Sequence, residues 1–318
     1  MTKLISRRKL LTLGGGILVS GSTLAAYAGI IEPNYRLEVT QYKIHPMQWK
    51  PGLKVKIAAL ADLHAGEGPM TLDMMRYIVR RTNALNADMI VLLGDYLTKD
   101  YTRPGTISAH EIAEELKHLH APLGVYAVMG NHDWWNDKSA MKRRSGPVQM
   151  SEALKQSGIH VLNNEALKIE KDGSSFWLAG LDSQWSFFDY KKCADDLPGT
   201  LAQITDDAPV ILLAHEPDIF PQVPSHVALT LCGHTHGGQI RFFGYSPVVP
   251  SRYGNRYAYG HVKEDNRHLI VSGGLGSVGG SIYIANRTLG RYLGPLGHKN
   301  FYARFGVPPE IVLVQIEQ

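Results

Sequence analysis

Short clusters of Asp, Asn and His follow five apolar segments of the chain. They are Asp62-Leu63-His64, Gly94-Asp95, Gly130-Asn131-His132-Asp133, His215 and Gly233-His234-Thr235-His236. In extended backbone, residues i and i+2 point to the same side about 6 to 7 Å apart, so each Asp-x-His or His-x-His pair can converge on one locus. Carboxylate, amide and imidazole ligands without thiolate suit Mn, Fe or Zn and do not choose between them. The pattern therefore predicts a site for two divalent ions, about 3.5 to 4 Å apart.

Each cluster taken alone has a simpler explanation. A single Asp after a strand is commonly a helix N-cap or a turn residue, and a single His is usually a surface or packing residue. What favours a metal site is the combination of five clusters in this order, each placed directly after an apolar run.

The apolar runs predict the strands that position these clusters. Buried strands are expected at 55–61, 89–93, 124–129, 209–214 and 227–231, with helices at 72–86, 107–119 and 151–157. Further strands are expected at 159–162, 166–170, 175–180 and 311–316. Alternating strands and helices with continuous apolar strands indicate an α/β fold, in which sites assemble at the carboxyl ends of strands.

The ends of the chain differ in character from its body. Residues 1–28 carry Lys3, Arg7, Arg8 and Lys9 without an acid, followed by an uncharged run, which predicts a twin-arginine-type export signal or an uncleaved anchor. These four charges account for the net charge of +4, so the body is neutral and binding to nucleic acid is not expected. A linker is predicted at 29–52, one catalytic domain at 53–318, and long loops at 237–306.

The five clusters together resemble those of the calcineurin-like metallophosphoesterases. The leader, the motif GHTHGGQI at 233–240, the segment PSRYG at 250–254 and the tail RFGVPPE at 304–310 resemble an exported bacterial subgroup that includes YkuE and YaeI. The resemblance implies a four-layer α/β/β/α sandwich of two mixed sheets. It also implies a phosphodiesterase or phosphatase activity that depends on two divalent metal ions.

The same resemblance assigns roles to individual residues. One metal ion would be held by Asp62, His64, Asp95 and His236, and the other by Asp95, Asn131, His215 and His234. Asp95 would bridge the two ions, and a bridging hydroxide would attack phosphorus. His132 would protonate the leaving oxygen, with Asp133 orienting its imidazole.

The substrate is less well defined by the sequence. Basic and aromatic residues near the motifs are candidate substrate contacts, namely Trp134, Arg241, Arg252 and Tyr253. Export predicts a phosphate ester derived from lipid or from the cell envelope, with the twin-arginine translocase as a partner. It also predicts the periplasm or the outer face of the cytoplasmic membrane as the location. The alternatives are a UDP-2,3-diacylglucosamine-type pyrophosphatase of lipid A synthesis and a non-catalytic metal-binding envelope protein. Residues 279–303 match no motif of the family.

Overall fold

A computed structural model describes residues 23–66, 68–98, 107–188, 192–278 and 302–318. The first 22 residues of the predicted leader, and residues 279–301 of the segment that matches no motif, lie outside this part of the chain. Within the described ranges no helix has the length and apolar character needed to cross a bilayer.

Six strands form sheet I, which is mixed. They are β1 (Glu38–Ile44), β2 (Val55–Leu60), β3 (Met89–Leu92), β4 (Val125–Ala127), β5 (His160–Val161) and β12 (Glu310–Ile316). Their order is β1-β12-β2-β3-β4-β5. Strands β2 to β5 are parallel, whereas β12 runs antiparallel to β2 and parallel to β1. The C-terminal strand therefore lies inside the sheet, between the N-terminal strand and β2.

Another six strands form sheet II. They are β6 (Glu165–Lys171), β7 (Ser174–Gly180), β8 (Val210–Leu213), β9 (Val227–Cys232), β10 (Gly260–Glu264) and β11 (Arg267–Val271), in the order β10-β11-β9-β8-β7-β6. Strands β7, β8, β9 and β11 are parallel, with an antiparallel strand at each edge. This sheet is also mixed, as the family resemblance implied.

The described helices are short. They are α1 (Leu72–Asn83), α2 (Ala109–Leu116), α3 (Asn131–Trp135), α4 (Lys138–Arg143), α5 (Gln149–Gln156) and α6 (Leu197–Leu201). Short 3-10 helices cover Pro217–Gln222, His236–Gly238 and Gly254–Tyr257. Near the N-terminus, Tyr27–Ile31 and Glu32–Tyr35 together form one helical segment. Helix α1 begins after Thr71, whose hydroxyl accepts a hydrogen bond from the amide of Met74 at 3.2 Å. Helix α2 begins with a capping box formed by Ser108 and Glu111.

Alternation along the strands builds the four layers. Ala58 and Leu60 of β2 pack in the core beneath helices α1, α2 and α5, whereas Ile57 and Ala59 pack in the core between the two sheets. Residues of sheet II alternate in the same way, and its outer face packs against α6 and the 3-10 turn Pro217–Gln222. The predicted α/β/β/α sandwich is confirmed.

The predicted helices and strands are present, with ends that differ by at most three residues. Two predictions of irregular structure were wrong. The linker predicted at 29–52 contains β1, and the long loops predicted at 237–306 contain β10 and β11. Strands β1 and β10 lie at sheet edges and bury few side chains, so their sequences lack the apolar runs that marked the other strands.

Candidate metal centre

The five predicted clusters meet where the two sheets adjoin. Strands β2, β3 and β4 of sheet I and β8 and β9 of sheet II each end in one cluster. Two triads have ligand atoms that lie within 4.8 Å of one another, namely Asp62, His64 and His236, and Asp95, His215 and His234. All six residues are buried. The structure therefore brings together residues that are up to 174 positions apart in the chain.

The ligand atoms face one another at short range. Nε2 of His236 lies 3.1 Å from Nε2 of His64 and 3.4 Å from Oδ1 of Asp62. In the other triad, Nε2 of His215 lies 3.2 Å from Oδ2 of Asp95. Nitrogen and oxygen donors at this separation surround a space in which a divalent cation can be coordinated.

Asp95 lies between the two triads. Its Oδ2 is 3.6 Å from Nε2 of His64, which belongs to the first triad, as well as 3.2 Å from Nε2 of His215. Its Oδ1 accepts a hydrogen bond from the amide of His132 at 2.8 Å, which fixes the carboxylate. This placement fits a bridging ligand, and the bridging role stays a prediction.

Two buried polar atoms of the site provide a test of whether a cation fits. Oδ1 of Asn131 and Nε2 of His234 have no hydrogen-bond partner among the described residues. Leaving such an atom unsatisfied costs roughly 1 to 3 kcal/mol, so native proteins rarely do so without a reason. A cation bound beside Asp95 would satisfy both atoms, and the donor set therefore fits a metal.

The backbone at the ligands is unusual. Asp62, His64, Asp95, His234 and His236 all have φ between 45° and 71°, in the left-handed region. Residues other than Gly adopt it at a cost of order 1 kcal/mol, and such residues concentrate at functional sites. The cost is offset by backbone hydrogen bonds, such as the one from the amide of Asp62 to the carbonyl of Gly94 at 3.0 Å.

Glycines give the ligands room. A Cβ on Gly233 would lie 2.5 Å from Oδ2 of Asp62, and one on Gly130 would lie 2.2 Å from Oδ1 of Asp95. Both distances are shorter than any van der Waals contact. Gly130 and Gly233 therefore leave the space that the carboxylates of Asp95 and Asp62 occupy.

Burial keeps two of the imidazoles neutral. It lowers the pKa of His234 to about 3, with a further contribution from the charge of His215. It also lowers the pKa of His236 well below its usual range, assisted by His64 and Arg304. A neutral imidazole has the lone pair that a metal ion needs.

The two carboxylates respond differently to burial. Burial raises the pKa of Asp62 to about 7. Burial also opposes ionisation of Asp95, but the nearby imidazoles of His215 and His132 outweigh it and hold the pKa of Asp95 well below its usual range. A cation bound between them would favour the ionised form of both.

Asp133 accepts hydrogen bonds from the backbone of two loops. Its carboxylate accepts hydrogen bonds from the backbone amides of Asp95 (2.9 Å), Tyr96 (3.0 Å), Leu97 (3.2 Å) and Gly130 (2.9 Å). These bonds connect the loop after β3 to the loop after β4. The structure thus shows Asp133 fixing the loop that carries Asp95, and its role in orienting the His132 imidazole stays a prediction.

His132 lies at the edge of the centre. Its ring centroid is 4.8 Å from that of His64 and 5.0 Å from that of Trp135. It also lines a cavity of about 440 Å³ together with four of the predicted ligands, Asp95, Asn131, His234 and His236. A proton carried by this imidazole would face the space above the metal ligands, as predicted for a general acid.

The walls of this cavity are largely apolar. They are formed by Trp135, Trp185, Ile240, Pro247, Val248, Pro250 and Val278. Neither the type nor the spacing of Trp185, which follows β7, singled it out, and the segment 240–250 was recognisable only as a continuation of the motif GHTHGGQI. An apolar wall beside polar ligands is the usual composition of a small-molecule site.

The four predicted substrate contacts are not among the residues that line the cavity. Trp134 is buried and donates to Oδ1 of Asp182 at 2.6 Å. Arg241 donates to the hydroxyl of Ser246 at 3.1 Å, and Arg252 pairs with Asp218 at 3.3 Å. Tyr253 packs against another tyrosine ring nearby. The contacts of Arg241, Arg252 and Tyr253 follow from the folding of the segment 241–257 back onto the domain. Substrate binding by the four residues stays a prediction.

Sequence reasoning missed Arg304. This side chain is fully buried and donates to the carbonyls of Gly273 at 2.8 Å and Val307 at 3.1 Å. Its Nη2 lies 3.2 Å from Nδ1 of His236. Burial lowers the pKa of Arg304 to about 10, so the guanidinium is charged at neutral pH. The tail motif RFGVPPE contained this residue, but nothing in its type or spacing pointed to the metal centre.

Comparison with known proteins agrees with this geometry. Residues 55–238 match the model of the family described as calcineurin-like phosphoesterase. The chain is 31% identical over 283 residues to the uncharacterized metallophosphoesterase YkuE of Bacillus subtilis, covering 86% of this chain and 92% of that protein. It is 28% identical over 287 residues to the phosphodiesterase YaeI of Escherichia coli, covering 87% and 94%.

A third relative is an uncharacterized metallophosphoesterase of Aquifex aeolicus, which is 30% identical over 260 residues and covers 80% of this chain and 90% of that protein. The family match covers more than half of the chain and spans all five ligand clusters. The chain belongs to the calcineurin-like phosphoesterase family and is a metal-dependent phosphoester hydrolase.

Proposed function

We propose that this protein hydrolyses phosphate diesters that carry an apolar group, with two divalent cations as cofactors. The observation that supports the proposal is the cavity itself. Its floor is formed by predicted metal ligands and its walls by Trp135, Trp185, Ile240 and Val248. A phosphate anion would be attracted to the charged floor, while an apolar substituent would be buried against the walls.

The residues would divide the work as follows. One cation would be held by Asp62, His64, Asp95 and His236, and the other by Asp95, Asn131, His215 and His234. The pair of cations would supply Lewis acidity toward the phosphate and a water of lowered pKa. The walls would bury the ester and exclude bulk water, which strengthens electrostatic interactions at the floor.

His132 would donate the proton to the leaving oxygen. It follows the predicted ligand Asn131 in the first turn of α3, and its amide donates to Oδ1 of Asp95. The ring of Trp135 on the same helix packs against the imidazole and limits its motion. Together these contacts would hold the general acid at a fixed distance from the floor.

The experiment is a series of alkyl p-nitrophenyl phosphates of increasing alkyl length, assayed on protein whose Mn or Zn content has been measured. Each buried methylene contributes about 0.8 kcal/mol, so kcat/KM should rise about fourfold per methylene until the walls are covered. A flat series would show that the walls do not bind the substituent. Absence of hydrolysis with both metals bound would favour a non-catalytic metal-binding protein.

A pyrophosphate-linked lipid of the UDP-2,3-diacylglucosamine type forms a separate arm of the assay. An apolar wall also suits acyl chains, so this alternative is consistent with the cavity. Cleavage of the pyrophosphate, with no cleavage of simple diesters, would favour it over a phosphodiesterase.

We infer that the protein acts at the outer face of the cytoplasmic membrane. The inference rests on the leader, in which Arg7 and Arg8 precede an uncharged run. Ala28, the last residue of the predicted leader, is buried, and its carbonyl accepts a hydrogen bond from the amide of Arg304 at 2.9 Å. This contact favours retention of the leader as an anchor, because a signal peptidase needs accessible backbone.

Fractionation tests the location. The wild type should be found in the membrane fraction and be degraded by protease added to spheroplasts, with its leader still attached by mass spectrometry. Replacing Arg7 and Arg8 by Lys should keep the protein inside the cell. Export of the double variant at the wild-type level would argue against the twin-arginine route.

A further inference from the structure

A tight turn near the cavity exposes an aromatic side chain. The amide of Phe242 donates to the carbonyl of Tyr245 at 2.8 Å, and the amide of Tyr245 donates back at 2.9 Å. The two central residues, Phe243 and Gly244, have φ of 47° and 83°. Such turns favour Asn followed by Gly. Phe243 therefore occupies a position where an aromatic residue is disfavoured by its backbone, and its side chain is fully exposed to water.

The turn continues into a larger apolar surface. The ring of Phe242 lies 4.9 Å from that of Phe305, which in turn lies 6.2 Å from the ring of Tyr27 in the N-terminal helical segment. On either side of Tyr27, Leu24 and Ile31 are also exposed. We call this surface the aromatic rim, and it comprises Leu24, Tyr27, Ile31, Phe242, Phe243, Tyr245, Val248 and Phe305. Exposed apolar residues are ordinary when single, but a contiguous group marks an interaction site.

The aromatic rim adjoins the mouth of the cavity. Val248 belongs to both, and Pro247 beside it lines the cavity. The amide of Arg241 donates to the carbonyl of Phe305 at 2.7 Å, which fixes the turn to the tail that contacts His236 through Arg304. A partner bound on the rim would therefore lie next to the opening of the metal centre.

The charges around the rim indicate what kind of partner fits. Residues 241–257 contain three Arg, five aromatic residues and no acidic residue, and two of these Arg, Arg252 and Arg256, are paired with Asp218 and Glu264. The described chain begins at Thr23, next to the rim, and the 22 residues before it contain four basic residues and no acid. Aromatic side chains flanked by Arg and Lys are typical of protein surfaces that enter the headgroup region of an anionic bilayer.

We propose that the aromatic rim docks this protein onto an anionic phospholipid bilayer, with Phe243 inserted among the headgroups. The mouth of the cavity then faces the membrane surface. A phosphate ester that is itself a membrane amphiphile can enter the cavity without crossing water. This last step rests on the proposed function, whereas the docking does not.

The test reports the position of residue 243 relative to the lipid in the full-length chain. Phe243→Cys is labelled with an environment-sensitive fluorophore and mixed with vesicles of phosphatidylethanolamine and phosphatidylglycerol that contain a lipid spin-labelled in its acyl chain. The matched control is Met47→Cys, which is also exposed. Met47 follows the C-terminal end of β1, which pairs with the C-terminal end of β12. That end of β12 pairs with the start of β2, whereas Asp62 follows the end of β2. Met47 therefore lies at the edge of sheet I opposite Asp62. Wild type taken through the same labelling gives the background from Cys193 and Cys232.

The expected result is loss of emission from position 243, with a shift to shorter wavelength, and unchanged emission from position 47. The docking would be overturned if the protein did not bind the vesicles. It would also be overturned if the protein bound with equal emission from both positions, because the leader alone would then account for the binding. A blue shift at position 243 that grows with protein concentration in the absence of vesicles would also overturn it, because a second copy would then cover the rim.

A hydrolysis assay separates this proposal from the proposed function. Phe243→Asn places the favoured residue in the turn, so the variant should fold and hydrolyse soluble bis(p-nitrophenyl) phosphate at the wild-type rate. A fluorophore attached at Tyr245→Cys should be quenched by the spin-labelled lipid when position 243 is Phe. Adding Phe243→Asn to that labelled protein should abolish the quenching. If no variant hydrolyses the soluble ester but position 243 is quenched, the proposed function fails and the docking stands.

Discussion

Arg304 donates to Nδ1 of His236 across 3.2 Å, while Nε2 on the other side of the same ring lies 3.4 Å from Oδ1 of Asp62. A guanidinium has only donors, so Nδ1 must accept. The bond fixes the plane of the imidazole and directs Nε2 toward the centre. A residue from the C-terminal tail thereby sets the orientation of a ligand that follows β9.

Replacing Arg304 should destabilise the fold as a whole. Arg304→Met leaves the buried carbonyls of Gly273 and Val307 without this donor, so we expect the free energy of unfolding to fall by roughly 3 kcal/mol. Urea denaturation measures the change. The control is Arg256→Met, which breaks an exposed, solvent-screened ion pair with Glu264 and should leave the free energy of unfolding nearly unchanged. Equal losses in both variants would show that the buried bonds are not stabilising.

The two triads predict how metal content depends on each ligand. Asp95→Asn should lose both ions, because its carboxylate lies between the triads. His236→Gln should lose mainly the ion beside Asp62 and His64. Elemental analysis after dialysis measures the stoichiometry. An unchanged content in Asp95→Asn would contradict the bridging role.

His132 should be needed for turnover and dispensable for metal binding. His132→Ala should retain both ions but lose about 100-fold or more in kcat on an ester with a poor leaving group, and much less on p-nitrophenyl esters. The control is His120→Ala, which changes an exposed histidine that precedes β4, whereas Asn131 and His132 follow the other end of that strand. Normal turnover on the poor leaving group would remove His132 from the chemistry.

Gly233 should tolerate no side chain. The Cβ of Gly233→Ala would lie 2.5 Å from Oδ2 of Asp62, so the carboxylate or the strand end must move. We expect loss of the ion held by Asp62, measured by calorimetric titration with Mn. Gly146→Ala, whose Cβ would meet nothing closer than 3.7 Å, should bind as the wild type does. A wild-type affinity for Gly233→Ala would show that the site adapts more easily than its packing suggests.

His268 makes stability depend on pH independently of the metal centre. Burial, together with the neighbouring His261, lowers its pKa to about 4. The unfolded chain therefore binds this proton more readily, so stability is complete above about pH 6.5 and falls as the pH is lowered toward 4. The free energy of unfolding of the wild type should therefore be lower at pH 5 than at pH 7.5. In His268→Gln we expect this difference to be smaller by on the order of 1 kcal/mol. An identical pH dependence in wild type and variant would refute this assignment.

The residues of the centre could be predicted because their strands are buried. A continuous apolar run identifies such a strand, and Asp62, Asp95 and His215 follow directly after these runs. The runs place each cluster at a strand end, but the left-handed backbone at Asp62, His64 and Asp95 is not a property of an extended strand and could not be predicted from them. Edge strands gave no such signal, since β1 buries mainly its last residue, Ile44.

The cavity walls and the supporting contacts could not be predicted. Trp185 and Arg304 reach the centre through loops whose course depends on tertiary packing. Asp133 was identified as important by its motif, but its role depends on which backbone amides it contacts. Arg252 and Tyr253 were selected by residue type, and their partners turned out to be neighbours within the fold.

The position of β12 has a consequence for the order of events during synthesis. Strand β1 pairs only with β12 within the described sheet, and β12 is synthesised after all the other strands of both sheets. Strand β1, and the predicted leader before it, should therefore stay unanchored until β12 has been synthesised. Protease digestion of ribosome-bound chains stalled near residue 309 should cleave β1 readily, whereas the released chain should resist. Such timing would couple the presentation of the leader to completion of the domain, as a route that exports folded proteins requires.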